Sequence, residues 1–421
     1  MNILAPAERG ARGDLRTAPG SSAPAPPVPT RERVRVGTHE TQVILDVADA
    51  ESLAPEWDAL AVTASKPFAA PAWVLAWWRH VAPAGISPHV VAVRDGGRLV
   101  AVAPFYALPR TRGVVEYRLM SSDFGASMEP LALPGREWDM AGEIAHALAV
   151  ASPRPDVLAF GPMPIASPWP AAMSAGWEGP ISALVRRLRI SSARMIVLDD
   201  ASYEEWFALL SPKLRRDLRR CERLFEEAGG STRWSTAETL RADVEAFARL
   251  HRQRWEGRGG WSRLAAMGAG LVDWLEDLGR PLIAQGRFGM CLLEVDGAPI
   301  CADFQISAGD ELVPMNAGWD ERYANLSPAK LACLRVVRSA FEQGARRVSL
   351  GSGNSANKLR LANGNEPVAW TLVLPPSAGL PAAYARALPD VMRAHLRDVA
   401  VRALPPERLA QTRRMLERLR G

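Results

Sequence analysis

The chain has 421 residues, 48% of them apolar and 23% charged, which is the balance of a globular protein of two to three domains rather than of a disordered or fibrous one. No apolar run approaches the ~18–20 residues that cross a bilayer, and the N-terminus lacks the apolar core of a secretory signal, so a cytoplasmic protein is expected. The formal charge of +5 resides in the ends: residues 1–38 carry +3 and residues 381–421 carry +5, leaving −3 on the body, so the basic balance does not argue for a nucleic-acid-binding core. Four cysteines without close spacing and six scattered histidines form no disulfide framework or metal motif, and no metal is expected.

Residues 1–36 are rich in Ala, Pro, Gly and Ser and read as a disordered leader. Apolar periodicity then predicts a strand over 43–47 and helices over 54–60 and 72–81, the second placing Trp73, Trp77 and Trp78 in a core. An Asp95-Gly96 turn between residues 89–93 and 98–108 marks a hairpin. Residues 152–180 are Pro-rich and read as the seam between two halves, before a strand over 194–198.

In the second half the pattern predicts helices over 211–228, 237–255 and 267–278, then strands over 287–295, 298–307 and 311–319. A helix over 328–343 and a strand over 346–350 follow, and this strand–helix–strand step requires a right-handed crossover and a parallel pair. The fold class is mixed α/β. The domains expected are 39–198 and 199–380, flanked by the leader and by a basic helical tail over 381–421. Within that tail residues 388–404 form an amphipathic helix, suited either to packing on the parent domain or to peripheral contact with an anionic membrane.

Two helix starts carry chemistry. Ser327-Pro328 is a favourable opening, with Ser placed to cap free amides and Pro at a position that needs no amide. Lys330 in its first turn opposes the helix dipole unless an anion answers it. Lys213 to Arg220 (KLRRDLRR) puts cations at the amino end of a helix whose glutamates lie at the other end, the reverse of the favourable order. Leu214, Leu218, Cys221 and Phe225 still give that helix an apolar stripe. Arg215, Arg216 and Arg219 then read either as a solvated face or as a holder of phosphate. After the last core strand, Gly351 to Lys358 (GSGNSANK) reads as a strand-end turn or as a loop that lets backbone approach a ligand, with Lys358 opposite an oxyanion.

Together with Leu250-His251, Arg254-Trp255, Gly297 to Ala302 (GAPICA), Trp319-Asp320, Tyr323 and Gly344, these motifs make residues 43–375 resemble the CelD/BcsL-type acetyltransferases of cellulose and exopolysaccharide synthesis, most strongly over 205–360. Those enzymes belong to the GNAT superfamily and are similar to the Fem-type aminoacyl transferases, which carry two GNAT folds in tandem. The resemblance implies two GNAT-like domains and an acyltransferase using acetyl-CoA or another acyl-CoA on an amine or hydroxyl of a sugar or small molecule. It implies that Ser327 and Lys330, with the helix arginines, face the donor pyrophosphate, and that Lys358 steadies the tetrahedral intermediate. Asp320 is then the candidate base and Tyr323 the candidate acid, with Asp303 in reserve. The family pattern is broken at Ala329, Ser349 and Asn357, where a Gly, an acid and an aromatic are usual. Two rivals stay open: a Fem-like transferase with aminoacyl-tRNA as donor, and a non-catalytic binding module with a degenerate site.

Overall fold

A computed structural model of the chain describes residues 31–36, 39–124, 127–177, 182–199, 202–255, 263–315, 317–352 and 356–403. The first half comprises β1 (Arg31–Val36), β2 (His39–Ile44), α1 (Val47–Glu51), α2 (Ala54–Thr63), α3 (Pro71–His80), β3 (Ser87–Asp95), β4 (Arg98–Pro109), β5 (Val115–Leu119), β6 (Leu131–Ala132), α4 (Glu137–Val150), β7 (Val157–Pro164), α5 (Trp169–Ala175) and β8 (Leu184–Val197). The second comprises α6 (Tyr203–Leu209), α7 (Pro212–Glu227), β9 (Gly230–Trp234), α8 (Leu240–Trp255), α9 (Arg263–Ala266), α10 (Gly270–Ile283), β10 (Phe288–Val295), β11 (Ala298–Ala308), β12 (Glu311–Pro314), β13 (Gly318–Trp319), α11 (Pro328–Glu342), β14 (Arg347–Ser352), α12 (Ala356–Leu361), β15 (Gly364–Leu374) and α13 (Leu380–Ala403).

The strands join in one sheet of order β1-β2-β3-β4-β5-β7-β15-β8-β14-β12-β11-β10-β9. Read from its two ends, the sheet repeats itself. Counted from β2 in the first half and from β9 in the second, three antiparallel steps lead to a parallel pair, β5 with β7 and β12 with β14, and β1 is an additional edge strand on the first half. The expected crossover through α11 is therefore present.

The repeat holds in register. A bulge falls between Val93 and Arg94 on β3 and between Leu293 and Glu294 on β10. β6 pairs with Ala101 and Val102, as β13 pairs with Cys301 and Ala302. The halves then exchange strands. β8 leaves the first half to pair with β14, while β15 returns from the second to pair with β7, and the two cross the seam together with Gly364 to Leu374 matched to Met195 to Leu184.

The core spans both halves. Trp73 and Trp77 are buried as the periodicity predicts, Trp78 is only partly buried, and Trp57 of α2 joins the core. Trp73 of α3 meets Trp274 of α10 edge-on at 5.2 Å, and Trp274 also contacts Phe124 at 5.3 Å. Aromatic pairs of this geometry add to plain area burial.

Several expectations are corrected. The Pro-rich passage contains β7, a buried central strand; Pro162 and Pro164 are tolerated because pairing with β5 ends at Ala159. Residues 31–36 form β1 against β2, so the leader expected over 1–36 is shorter, and residues 1–30 lie outside the described ones. The single strand expected over 311–319 is two, β12 and β13. In the tail, Ala383 and Ala387 of α13 are buried, whereas Leu388 and Met392 of the predicted apolar stripe are 41% and 49% exposed. No helix among the described residues is long and apolar enough to cross a membrane.

Truncating Trp274 to Ala opens the shared core, and about 3–5 kcal/mol of stability is expected to be lost. A lowered urea midpoint with retained far-ultraviolet dichroism is the readout.

Candidate functional site

On β11 the residues alternate in character. Ala302, Phe304 and Ile306 enter the main core, while Cys301 and Gln305 face α11, Gln305 Nε2 donating to Ser339 Oγ at 3.1 Å. Asp303 belongs to the second set. It is buried, and among the described residues its Oδ1 has no hydrogen-bond partner. Burial pushes its carboxyl up to about 7, partly offset by the Lys358 ammonium and the Phe304 backbone N–H. Three thiols surround it. Burial, reinforced by the Asp303 charge, pushes Cys291 and Cys333 up to about 12 and Cys301 well above the usual thiol range, so all three stay protonated at neutral pH.

The break between β12 and β13 lies beside this carboxyl. Pro314 pairs with Gln305 and Gly318 with Ala302, so one extra residue is inserted opposite Asp303 and Phe304. Such an irregularity frees backbone groups that a regular ladder would consume. β12 and β14 pair only at Glu311 with Arg347 and Leu312 with Val348, then part.

Where they part, a cavity of about 230 Å³ opens. Val313, Pro314 and Met315 form one lip and Ser349, Leu350 and Gly351 the other, and Lys358 lies on its wall. Lys66 and Phe68 of the first half and Glu366 of β15 also line it, so both halves build it. An ion ladder runs along the wall: Lys66 pairs with Glu129, and Arg347 pairs with Glu311 and approaches Glu366 at 3.7 Å. Burial raises the Glu311 carboxyl against the opposing pull of Arg347 and Lys66.

The residues singled out from sequence separate into three places. Lys358, carried on α12 rather than in an open turn, is half-buried, and burial lowers its ammonium while Cys333 and Asp303 oppose the fall. Asp320 caps the short 3₁₀ turn Glu321–Leu326 and pairs with Arg322, which holds its carboxyl below the usual range. A carboxylate so held is a weak base, which weighs against the role expected of Asp320. Tyr323 sits half-buried against the cluster around Cys221, Leu326 and Leu331.

The second place is the start of α11. Ser327 adopts φ 55°, and its hydroxyl makes no capping bond, contrary to expectation. Ser211 does cap α7, accepting from Leu214 N at 3.3 Å. Lys330 pairs with Asp217 of α7 at 2.8 Å, and five residues further along each helix Arg335 pairs with Glu222 at 2.6 Å. Equal steps in both chains mean that α7 and α11 run parallel, and their amino ends lie side by side. Asp217, the acid that answers Lys330, also feels Arg360 and Arg220, and Lys330 above all holds it below the usual carboxylate range. Two acids of α7, Asp217 and Glu222, are thus answered by cations of α11.

The arginines of α7 divide by helical position. Arg215 and Arg219 line a separate groove of about 630 Å³ with Tyr203, Phe207 and Arg338, whereas Arg216 is exposed. The expected departure at Asn357 concerns a side chain outside the described ones. Ser349 does lie on the cavity wall, which Glu311 and Glu366 also line.

Sequence reasoning gave Asp303 only a reserve role, although an acid inside an otherwise apolar strand was its signal. It missed Lys66, Glu311 and Arg347, which converge only through the exchange between halves. The first half has no counterpart to Asp303. Pro104 O and Phe304 O accept equivalent bonds from Met120 N and Met315 N, both at 2.8 Å, so the residue before each is equivalent, and Asp303 corresponds to Ala103. Just beyond β5, Trp73 donates to Ser121 Oγ at 3.0 Å beside Met128.

A carboxyl raised by burial makes the native state bind a proton that the unfolded chain has already released, so this group's contribution to stability falls as pH rises from about 4 to 7. Replacing Asp303 by Asn is expected to remove that slope, which is worth roughly 4 kcal/mol at most. Urea titrations of both proteins at pH 5 and pH 8 measure it.

Residues 212–359 match the acetyltransferase (GNAT) domain family. Among solved structures, the crystal structure of FemX aligns with a TM-score of 0.56 at 10% identity, over 84% of this chain and 99% of that one. The C-terminal domain of a putative lysylphosphatidylglycerol synthetase from Agrobacterium fabrum gives 0.51 at 11% identity, over 81% and 96%. At these identities the likeness is one of fold. No curated protein matches the chain. Residues 212–359 therefore match a GNAT-type domain, and the fold of the chain is GNAT-like, with one sheet shared by two similar halves.

Proposed function

We propose that the protein is an acyltransferase with one catalytic centre, in the second half, which moves an acyl group from a coenzyme A thioester to an amine or hydroxyl of a small acceptor. The observation that carries this reading is the buried Asp303, electrostatically coupled to Lys358 beside the cavity where β12 and β14 part. A base tuned near neutrality is what direct attack requires, because an ammonium or hydroxyl acceptor must lose a proton as it bonds to the carbonyl carbon. Asp303 takes that proton. Lys358 faces the carbonyl oxygen as it gains charge. The carbon–sulfur bond then breaks and the thiolate takes up a proton, for which Tyr323 is the proposed donor.

The donor phosphates are assigned to the paired amino ends of α7 and α11. Two helix dipoles point there, and Lys330, Arg220 and Arg360 surround one carboxylate, Asp217. The same cluster suits any phosphate-bearing donor, including an aminoacyl-tRNA. The resemblance to exopolysaccharide acetyltransferases adds a cell-envelope setting for the acceptor.

Calorimetric titration with acetyl-CoA tests the donor. Micromolar binding is expected, falling about tenfold or more in Lys330→Ala/Arg220→Ala, as befits lost charge-assisted bonds, and little changed in Arg215→Ala/Arg219→Ala, whose side chains line the other groove. No binding to acetyl-CoA together with salt-sensitive binding to tRNA would move the donor reading to the Fem-like alternative. Where turnover is followed by coenzyme A release, the rate is expected to rise with pH through about 7, and Asp303→Asn to lower it roughly 10²–10⁴-fold above that pH, with the difference shrinking at lower pH as the wild-type carboxylate is protonated. An unchanged rate in that variant would favour a non-catalytic role for the buried acid.

A further inference from the structure

The outer face of α7 carries cations that the fold does not answer. Leu214, Leu218, Cys221 and Phe225 are buried on one side of the helix, and Arg216, Arg219, Arg220 and Arg223 stand exposed on the other, with Lys213 at its start. Arg223 meets Glu227 at 3.4 Å. Among the described residues Lys213, Arg216, Arg219 and Arg220 form no ion pair, because Asp217 and Glu222 are taken by Lys330 and Arg335 of α11. Cations three and four residues apart repel one another, and at the amino end of a helix they also oppose its dipole. A partner that supplies negative charge relieves both effects.

The surroundings of this face define the partner. Exposed acids bound it, Glu226 and Glu227 at the far end of α7 and Glu204 and Glu205 on α6. The basic stretch from Lys213 to Arg223 is roughly 15 Å of helix. A long polyanion such as RNA would continue past it onto those acids, whereas a compact acidic protein would not. Exposed leucines flank the amino end. Leu209, 75% exposed, closes α6, which Arg215 ties to the first turn of α7 through the Ala208 carbonyl. Leu359, 49% exposed, lies on α12 beside Arg360, whose charge reaches Asp217. Apolar contacts inside a charged rim serve a protein partner and not a phosphate backbone. The face also borders the paired amino ends of α7 and α11, where the donor phosphates are assigned, and Arg220 belongs to both.

We infer that this face docks an acidic acyl carrier protein, which presents the acyl thioester on a phosphopantetheine arm and so delivers the same reacting group as coenzyme A. Acids along one line of a carrier helix would meet Lys213, Arg216, Arg220 and Arg223, spaced i, i+3, i+7 and i+10, while the arm enters at the amino ends of α7 and α11. The inference rests on the acyltransferase reading for its reaction and names the partner that brings the donor. The transfer balances as before. The acceptor nitrogen or oxygen bonds to the carbonyl carbon and gives its proton to Asp303, the carbon–sulfur bond breaks, and the thiolate left on the arm takes up a proton.

The test is calorimetric titration of the full chain with the holo acyl carrier protein of fatty acid synthesis, alongside acetyl-CoA and tRNA. Micromolar carrier binding is expected, weakening on the order of tenfold between about 50 and about 300 mM salt. Lys213→Gln/Arg216→Gln is expected to weaken the carrier roughly tenfold or more and acetyl-CoA less than about threefold, since neither side chain belongs to the cluster around Asp217 and salt screens charge beyond about 8 Å. Gln is a good helix former, and losing two cations from the amino end eases the dipole conflict, so this variant is expected to melt no lower than the wild type.

Absence of carrier binding overturns the inference, as does carrier binding that Lys213→Gln/Arg216→Gln leaves unchanged. Acetyl-CoA that still binds and turns over in either case leaves the acyltransferase reading standing. A tRNA bound as tightly as the carrier, and released by the same variant, overturns the inference by giving the face to RNA. Carrier binding that the variant abolishes, with no acyl transfer from acetylated carrier or from acetyl-CoA, keeps the docking face and removes the acyltransferase reading.

Discussion

The antiparallel ladder between β8 and β15 is the constraint on which the rest depends. Each strand completes the other half's sheet, so neither half can close without a strand from its partner. A cut after residue 198 leaves β8 in the first segment while its neighbours β14 and β15 stay in the second. The helices above the sheet repeat this interdependence, with Trp73 and Trp274 meeting across the same seam. Two copies of one topology are thus joined through one sheet, and residues of both line the cavity.

Within that symmetry the halves have diverged in the few residues that matter for chemistry. Both keep the same bulge, the same short extra strand and a buried glutamate at the start of the parallel pair, Glu116 in one and Glu311 in the other. Glu116 is satisfied by Arg110 and Arg118 on its own half. Glu311 faces the shared cavity instead. At the position of Asp303 the first half has Ala103. The second half therefore holds the proposed chemistry, and the first lends Lys66 and an apolar wall to it.

Much was legible in the sequence because it is local. The Asp-Gly turns, the apolar stripe of α7 and the Ser-Pro opening of α11 each depend on residues within one or two turns of chain, and the elements stand within a few residues of where periodicity puts them. Failures came where a distant partner decides. Pro162 and Pro164 read as linker, yet they lie in a central strand because its β5 partner stops short. Lys330 and the cations of α7 read as a dipole conflict awaiting an anion, and Asp217, Glu222 and the parallel packing of the two helices answer part of it. Asp320 read as a base because nothing in sequence shows that Arg322 folds back onto it.

By itself the sequence determined most elements of the second half and the strand–helix–strand crossover, since hydrophobic period and turn chemistry act over short stretches. It also carried the raw material of the site, an acid in an apolar strand and a lysine after the last core strand. Only the tertiary structure decided that these two couple, because the ionisation of Asp303 depends on burial and on a charge 55 residues away. The strand exchange was likewise beyond local reading: β8 and β15 are distant in sequence, and their pairing is chosen by which edges the two half-sheets leave open.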